Sequence, residues 1–279
     1  MRCRLSAVWG CALLLASDVR AEMAFPFELR EGFMWVKVCA PQSPEPLNFL
    51  FDTGAEVSTL NLQTAKRLKL NGGRPVKVTG VGGKAAGYWP QQLEATVAGV
   101  KLPTQFLVTD LCALQASCQC PVDGLLGADF FRDRIVQIDF RVKNIRLLAT
   151  APDGAKEEQI PIRFRRSIMQ VPLSVDGNEP QWIRLDTGCA SALEWVSATP
   201  ARVAGRTKIS IGLSSVQIPT SRTTVRFRNR QFHNVQTGIH GKPLFPSEGG
   251  LLGLGLLARF EQITIDARSG RLILSDRVQ

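Results

Sequence analysis

Apolar residues come in short runs at 34–38, 47–51, 76–78, 93–97, 105–108 and 135–138. Val, Ile, Phe and Leu fill these runs, and Gly and Pro separate them. Runs of this length and punctuation predict short strands in a β-rich fold. The pattern returns at 171–175, 182–185, 208–211, 223–227 and 262–265. Two short helices are expected, one over 62–68 and one just after Gly127, through 129–132. Between 151 and 159, Pro152, Gly154 and a cluster of charges mark a linker.

The two stretches flanking that linker repeat one another. Asp52-Thr53-Gly54 and Asp186-Thr187-Gly188 each follow an apolar strand, and each is followed by a Leu-Leu-Gly step, at 125–127 and 251–253. Met34 lies 18 residues before its Asp, and Met169 lies 17 before its own. Leu126 to Leu147 and Leu252 to Ile273 are both 21 residues, and both stretches carry an Ile-Asp step, Ile138-Asp139 and Ile265-Asp266. Agreement at separate offsets identifies one unit written twice. The units are expected at 22–152 and 160–279, joined by 153–159, with 1–21 set apart.

Each unit places one carboxylate on a tight turn. Two carboxylates brought face to face share a proton, because like charges about 3 Å apart resist double ionisation. Such a pair can hold and activate a water. Gly54 and Gly188 permit a close approach that a side chain would block, and the Thr53 and Thr187 hydroxyls are suited to bonding across to the opposite turn. Neither Asp52 nor Asp186 can be named the base from sequence, since the pKa values belong to the pair. Glu56, two residues beyond the first turn, is a candidate to meet a substrate's backbone or a basic side chain; pairing within its own chain is the alternative.

The 279 residues are 44% hydrophobic with net charge +10, and no apolar run reaches the length of a membrane span. Arg2 and Arg4 precede an apolar stretch, and Val19-Arg20-Ala21 offers a cleavage pattern, so 1–21 reads as a secretory signal peptide and the protein as exported, periplasmic or secreted. Ala16-Ser17 is a second possible cut, and Cys11 raises a lipoprotein alternative. Five cysteines remain beyond the signal: Cys39, Cys112, Cys118, Cys120 and Cys189. Oxidation is then permitted, with Cys112 expected to pair with Cys118 or Cys120. With only His233 and His240 present, no metal or other cofactor is expected. Residues 157–279 carry 16 basic and 10 acidic side chains, densest at Arg222, Arg226, Arg228 and Arg230. Their alternation with Val225 and Phe227 reads as one polar face of a strand, and no nucleic-acid motif accompanies them. Neither a Gly-x-Ser-x-Gly elbow nor a His-Glu-x-x-His pair is present.

The chain resembles the retropepsin-like aspartic peptidases, particularly exported bacterial members with two units in one chain. The resemblance rests on Phe51-Asp52-Thr53-Gly54-Ala55, Gly80-Val81-Gly82-Gly83, the run from Asp123 to Phe131, Leu185-Asp186-Thr187-Gly188 and Gly250-Leu251-Leu252-Gly253. It implies an all-β protein with two homologous β-barrel lobes in a bilobal arrangement, few short helices, and an aspartic endopeptidase acting on peptide or protein substrates. It implies catalytic Asp52 and Asp186, supported by Thr53, Gly54, Thr187 and Gly188, with Gly80, Val81, Gly82 and Gly83 in a flap over substrate. With both carboxylates on one chain, a monomer is expected. Two departures stand out. The second unit offers only Ile211-Gly212-Leu213 where a flap would lie, which suggests a lost or shortened one, and Cys189 replaces the Ala55 of the first unit. A module that binds extended peptide without cleaving it is the alternative reading.

Overall fold

The computed structural model describes residues 23–118, 120–152, 158–197, 207–211 and 215–276. The segment read as a signal peptide lies outside them. Strands dominate, with three short helices and one 3-10 turn among the described residues, so the all-β expectation holds. No helix among them is long and apolar enough to cross a membrane.

Two eight-stranded sheets have the same strand order. The first runs Glu28–Arg30, Phe33–Val38, Leu47–Phe51, Gly124–Leu126, Thr59–Asn61, Leu107–Thr109, Gly83–Trp89 and Arg74–Gly80. The second runs Arg163–Arg165, Ile168–Val175, Gln181–Asp186, Gly250–Gly253, Leu193–Val196, Arg230–His240, Ser215–Phe227 and Thr207–Ile211. An added pairing of Ser174 with Arg226 and Val175 with Val225 curls the second sheet back on itself. In both sheets the strand entering Asp-Thr-Gly lies parallel to the Leu-Leu-Gly strand, Leu50 opposite Leu125 and Arg184 opposite Leu251. The register therefore makes Leu50 and Arg184 counterparts.

A third, six-stranded sheet takes three strands from each half, and Ile135–Asp139 pairs antiparallel with Gln262–Asp266 at its centre. Gln137 faces Thr264, and its Nε2 donates to Thr264 Oγ1 at 3.3 Å. Asp139 Oδ1 accepts the Arg141 and Val142 amides, each at 3.0 Å, and Asp266 Oδ1 accepts those of Arg268 and Ser269 at 3.1 and 3.0 Å. The duplicated Ile-Asp steps thus end matching strands. Of the expected linker, 153–157 lie outside the described residues, while Glu158 and Gln159 open a strand of this sheet, opposite Leu274 and Ile273.

One apolar core runs through both halves, including Phe49, Phe51, Phe130 and Phe131 from the first and Met169, Leu252 and Phe260 from the second. The rings of Phe51 and Phe131 lie 5.1 Å apart. Burying each such side chain contributes about 1.5–3 kcal/mol. The first expected helix forms at Leu62–Arg67, where Asn61 accepts from the Gln63 amide and Lys66 and Arg67 occupy the last turn. The stretch after Gly127 is a 3-10 turn, Ala128–Phe131, and Leu254–Leu257 is helical at the matching place in the second half.

A helix at Cys112–Cys118 was not foreseen. Its Leu114 and Cys118 and the preceding Leu111 pack on Phe33, Trp35, Leu50, Val122 and Leu125, a second apolar cluster. The expected bridge from Cys112 to Cys118 or Cys120 is corrected, since all three are free thiols. For Cys118 the helix gives the reason: six helical steps separate its Cα from that of Cys112 by about 9 Å, beyond the roughly 7 Å that a disulfide spans. Cys118 is buried, and burial pushes its thiol up to about 11.

Candidate active site

Both Asp-Thr-Gly turns leave the ends of their strands and meet. The Asp52 amide donates to Leu126 O at 2.9 Å, tying the first turn to the Leu-Leu-Gly strand. Asp52 Oδ1 accepts the Gly54 amide at 2.9 Å and the Ala55 amide at 3.1 Å. The two threonines are fully buried and bond reciprocally. The Thr53 amide donates to Thr187 Oγ1 at 3.0 Å, and the Thr187 amide donates to Thr53 Oγ1 at 3.0 Å. Each hydroxyl then donates onward, Thr53 Oγ1 to Leu185 O at 2.8 Å and Thr187 Oγ1 to Phe51 O at 2.7 Å.

The glycines leave room for the opposite carboxyl. A Cβ on Gly54 would stand 2.3 Å from Asp186 Cγ, and one on Gly188 would stand 2.3 Å from Asp52 Cγ. Each turn thus seats the other's acid, and the two carboxyls face each other across the meeting turns. Asp52 is partly exposed, whereas Asp186 is 8% exposed. Burial raises both carboxyls above the ordinary range, opposed at Asp52 by the Gly54 and Ala55 amides and by Arg184. Asp186 stands well above that range, first through burial and then through the charge of Asp52 facing it. The pair therefore holds one proton between its two carboxyls. One proton held between two acids is what general acid–base work on a bound water needs.

The residues named for a flap form the tip of a hairpin. Gly80 pairs with Gly83 around Val81 and Gly82, at the end of a seven-pair ladder with Arg74 opposite Trp89. The second half keeps a hairpin at the same place in its sheet, Thr207–Ile211 against Ser215–Phe227, with five pairs to the first's seven, so of the lost or shortened hairpin expected it is the shortened one that the described residues show. Residues 212–214 at its end lie outside the described residues. Glu56 is exposed, and its carboxylate lies 3.9 Å from Arg166 Nη1 of the second half. Cys189 is half-buried, like Ala55; its carbonyl accepts the Leu254 amide at 2.7 Å. The arginines of the basic strand are engaged locally: Arg222 with Asn234 O, Arg226 with Ser174, Arg228 with Gln159 O, and Arg230 with Glu158 and Asp276.

Two polar pairs beside the turns escaped the sequence reading. Asp129 Oδ1 accepts Ser58 N at 2.9 Å and Ser58 Oγ at 2.7 Å, and Ser58 Oγ in turn accepts the Gly127 amide at 3.1 Å. This braces the segment lying under Asp52, and burial raises the Asp129 carboxyl. In the second half Arg184 is buried, and Glu248 grips it twice, Nε to Oε2 at 2.8 Å and Nη2 to Oε1 at 2.6 Å. Its third arm, Nη1, donates to Gly54 O at 2.6 Å, across in the first turn. The repeat offset was the available signal for this pair, since it puts an arginine where the first unit has Leu50.

No curated protein matches the chain. Residues 37–130, about a third of it, match the family described as Aspartyl protease. That span holds the first Asp-Thr-Gly turn, the Arg74–Gly80 and Gly83–Trp89 hairpin and the Leu-Leu-Gly strand, so the first half of the site carries the features of that family.

Proposed function

We propose that the chain is an aspartic endopeptidase of the retropepsin-like type, with two homologous lobes in one polypeptide and one carboxylate from each. The observation that carries this reading is the Asp52–Asp186 pair, each carboxyl seated against the glycine of the opposite turn, between turns that exchange threonine hydrogen bonds. In this reading a water lies between the carboxyls. One carboxylate takes its proton as the oxygen attacks a peptide carbonyl, and the other carboxyl donates to the developing oxyanion. Thr53, Gly54, Thr187 and Gly188 hold the acids in register, and the Gly80–Gly83 tip closes over an extended peptide. No cofactor takes part. Both acids belong to one chain, so the active form is a monomer, and the N-terminal pattern supports export to the periplasm or beyond.

The test is cleavage of a diverse peptide library by the mature protein across pH 3–8, with and without a statine-type inhibitor. Cleavage that the inhibitor blocks, and that Asp52→Asn and Asp186→Asn each abolish while the fold is kept, is expected. Peptide binding without cleavage by the unaltered protein would instead identify a non-catalytic peptide-capturing module. Specific activity should stay constant on dilution, and a steep fall would indicate an obligate dimer.

A further inference from the structure

The two halves differ most beside the acid pair. Leu50 and Arg184 are counterparts by register, and Val122 and Glu248 stand three residues before the matching Leu125 and Leu251. The backbone supports this equivalence, since the Asp123 amide donates to Asn48 O at 2.9 Å and the Gly249 amide to Trp182 O at 3.2 Å. In the first half Leu50 and Val122 belong to an apolar cluster. In the second the same two places hold a buried ion pair, its side chains 8% and 7% exposed.

A buried ion pair rarely stabilises more than apolar residues of similar volume, because desolvation offsets the attraction. The first half demonstrates that this fold accepts the apolar solution. The charges at 184 and 248 therefore call for a role other than stability. Arg184 is built for one. Glu248 fixes the guanidinium in a two-point fork, Phe245 stacks on it at 3.6 Å, and the remaining Nη1 holds Gly54 O of the opposite turn. Gly54 is the residue whose open side seats Asp186 and whose amide bonds Asp52.

We propose that Arg184, clamped by Glu248, is a positioning residue for the acid pair: it anchors the Gly54 turn across the two halves and fixes a cation beside both carboxyls. Its charge lowers both carboxyls against the upward pull of burial. The other charges around the pair are accounted for by their own partners. Glu194, beside Leu251, bonds His240 at 2.8 Å. Asp129 bonds Ser58, and exposed Glu56 faces Arg166. Among the described residues, Arg184 is a cation whose field reaches both acids.

The catalytic readout rests on the peptidase reading, so the test includes one that does not. Arg184→Leu with Glu248→Val transplants the first half's solution and leaves no unpaired charge. Removing a cation raises a nearby carboxyl, so the acid limb of the kcat/KM profile should move up by about one pH unit, with kcat reduced several-fold. Arg184→Lys keeps the charge but loses the fork. It should keep the wild-type acid limb and still lose kcat. A folded double variant with the wild-type limb overturns the proposal, as does a lysine variant whose limb moves as far as the double variant's. Carboxyl carbon NMR titration of Asp52 and Asp186 reads the same shift without turnover. Unmoved titrations overturn the inference, whereas moved titrations in a protein that cleaves nothing sustain it and reject the peptidase reading.

Discussion

Thr53 and Thr187 satisfy each other's backbone: each amide donates to the other's hydroxyl at 3.0 Å, and both residues are fully buried. Thr→Val keeps the shape and removes the hydroxyl. It strands one amide and one carbonyl, each a desolvation penalty of about 1–3 kcal/mol. Thr53→Val and Thr187→Val should each destabilise by about 2–4 kcal/mol, and by similar amounts because the arrangement is reciprocal. Urea unfolding measures this. A large loss for one and none for the other would show that the exchange is not shared.

Asp186 gives a pH dependence of stability with a definite sign. Its carboxyl is raised in the folded chain by burial and by Asp52, so the native state binds more protons than the unfolded state above about pH 4. The contribution is fully present below the unfolded pKa and is lost as pH rises through the folded value. Asp186→Asn removes this loss. Its Tm should exceed wild type at pH 7, and the difference should shrink toward pH 4. Thermal unfolding from pH 4 to 8 checks it; a variant equally destabilised at every pH would refute the linkage.

Gly54 and Gly188 are required for space. Neither has a left-handed φ, yet a Cβ on either would overlap the opposing carboxyl at 2.3 Å. Gly54→Ala and Gly188→Ala should destabilise by about 1–3 kcal/mol and remove activity by displacing one acid. Gly241, with nothing within 4 Å of its imagined Cβ, is the control, and Gly241→Ala should stay within about 0.5 kcal/mol of wild type. Full activity in Gly54→Ala would contradict the seating described above.

The Arg74–Gly80 and Gly83–Trp89 hairpin has no buried residue along either strand. Few buried contacts mean cheap opening. Hydrogen exchange around Gly80–Gly83 should slow when a statine-type inhibitor binds. Protection elsewhere around Asp52 and Asp186 with unchanged exchange here would rule the hairpin out as a lid.

The acid pair was legible because Asp-Thr-Gly recurs in the same setting, so the turns could be placed before any coordinates. The strands were legible for a similar reason: Leu47–Phe51 and Ile135–Asp139 are apolar runs with sharp ends. The Cys112–Cys118 helix was not, although Asp110 caps its start by accepting the Cys112 amide at 2.8 Å, because its cysteines suggested a loop. Arg184 reads locally as one polar residue in Gln181-Trp182-Ile183-Arg184-Leu185. Its burial is decided by Glu248, 64 residues away, and by a carbonyl in the other half. The second hairpin lacked the glycines that announced the first, and its pairing rests on a long strand, Ser215–Phe227, whose partner is short.

The central seam of the six-stranded sheet has a bearing on solubility. Ile135–Asp139 is buried along its whole length, and its partner Gln262–Asp266 is buried at all but its first position. Severed from each other, the halves would each bare a mostly apolar edge, the kind of surface that recruits another strand. A lone half would find its match in a second copy of itself, antiparallel about the same axis. The tether makes that encounter intramolecular and raises the effective concentration of the right partner. Within one chain the two halves need not match, and at corresponding places Leu50 and Arg184 do not.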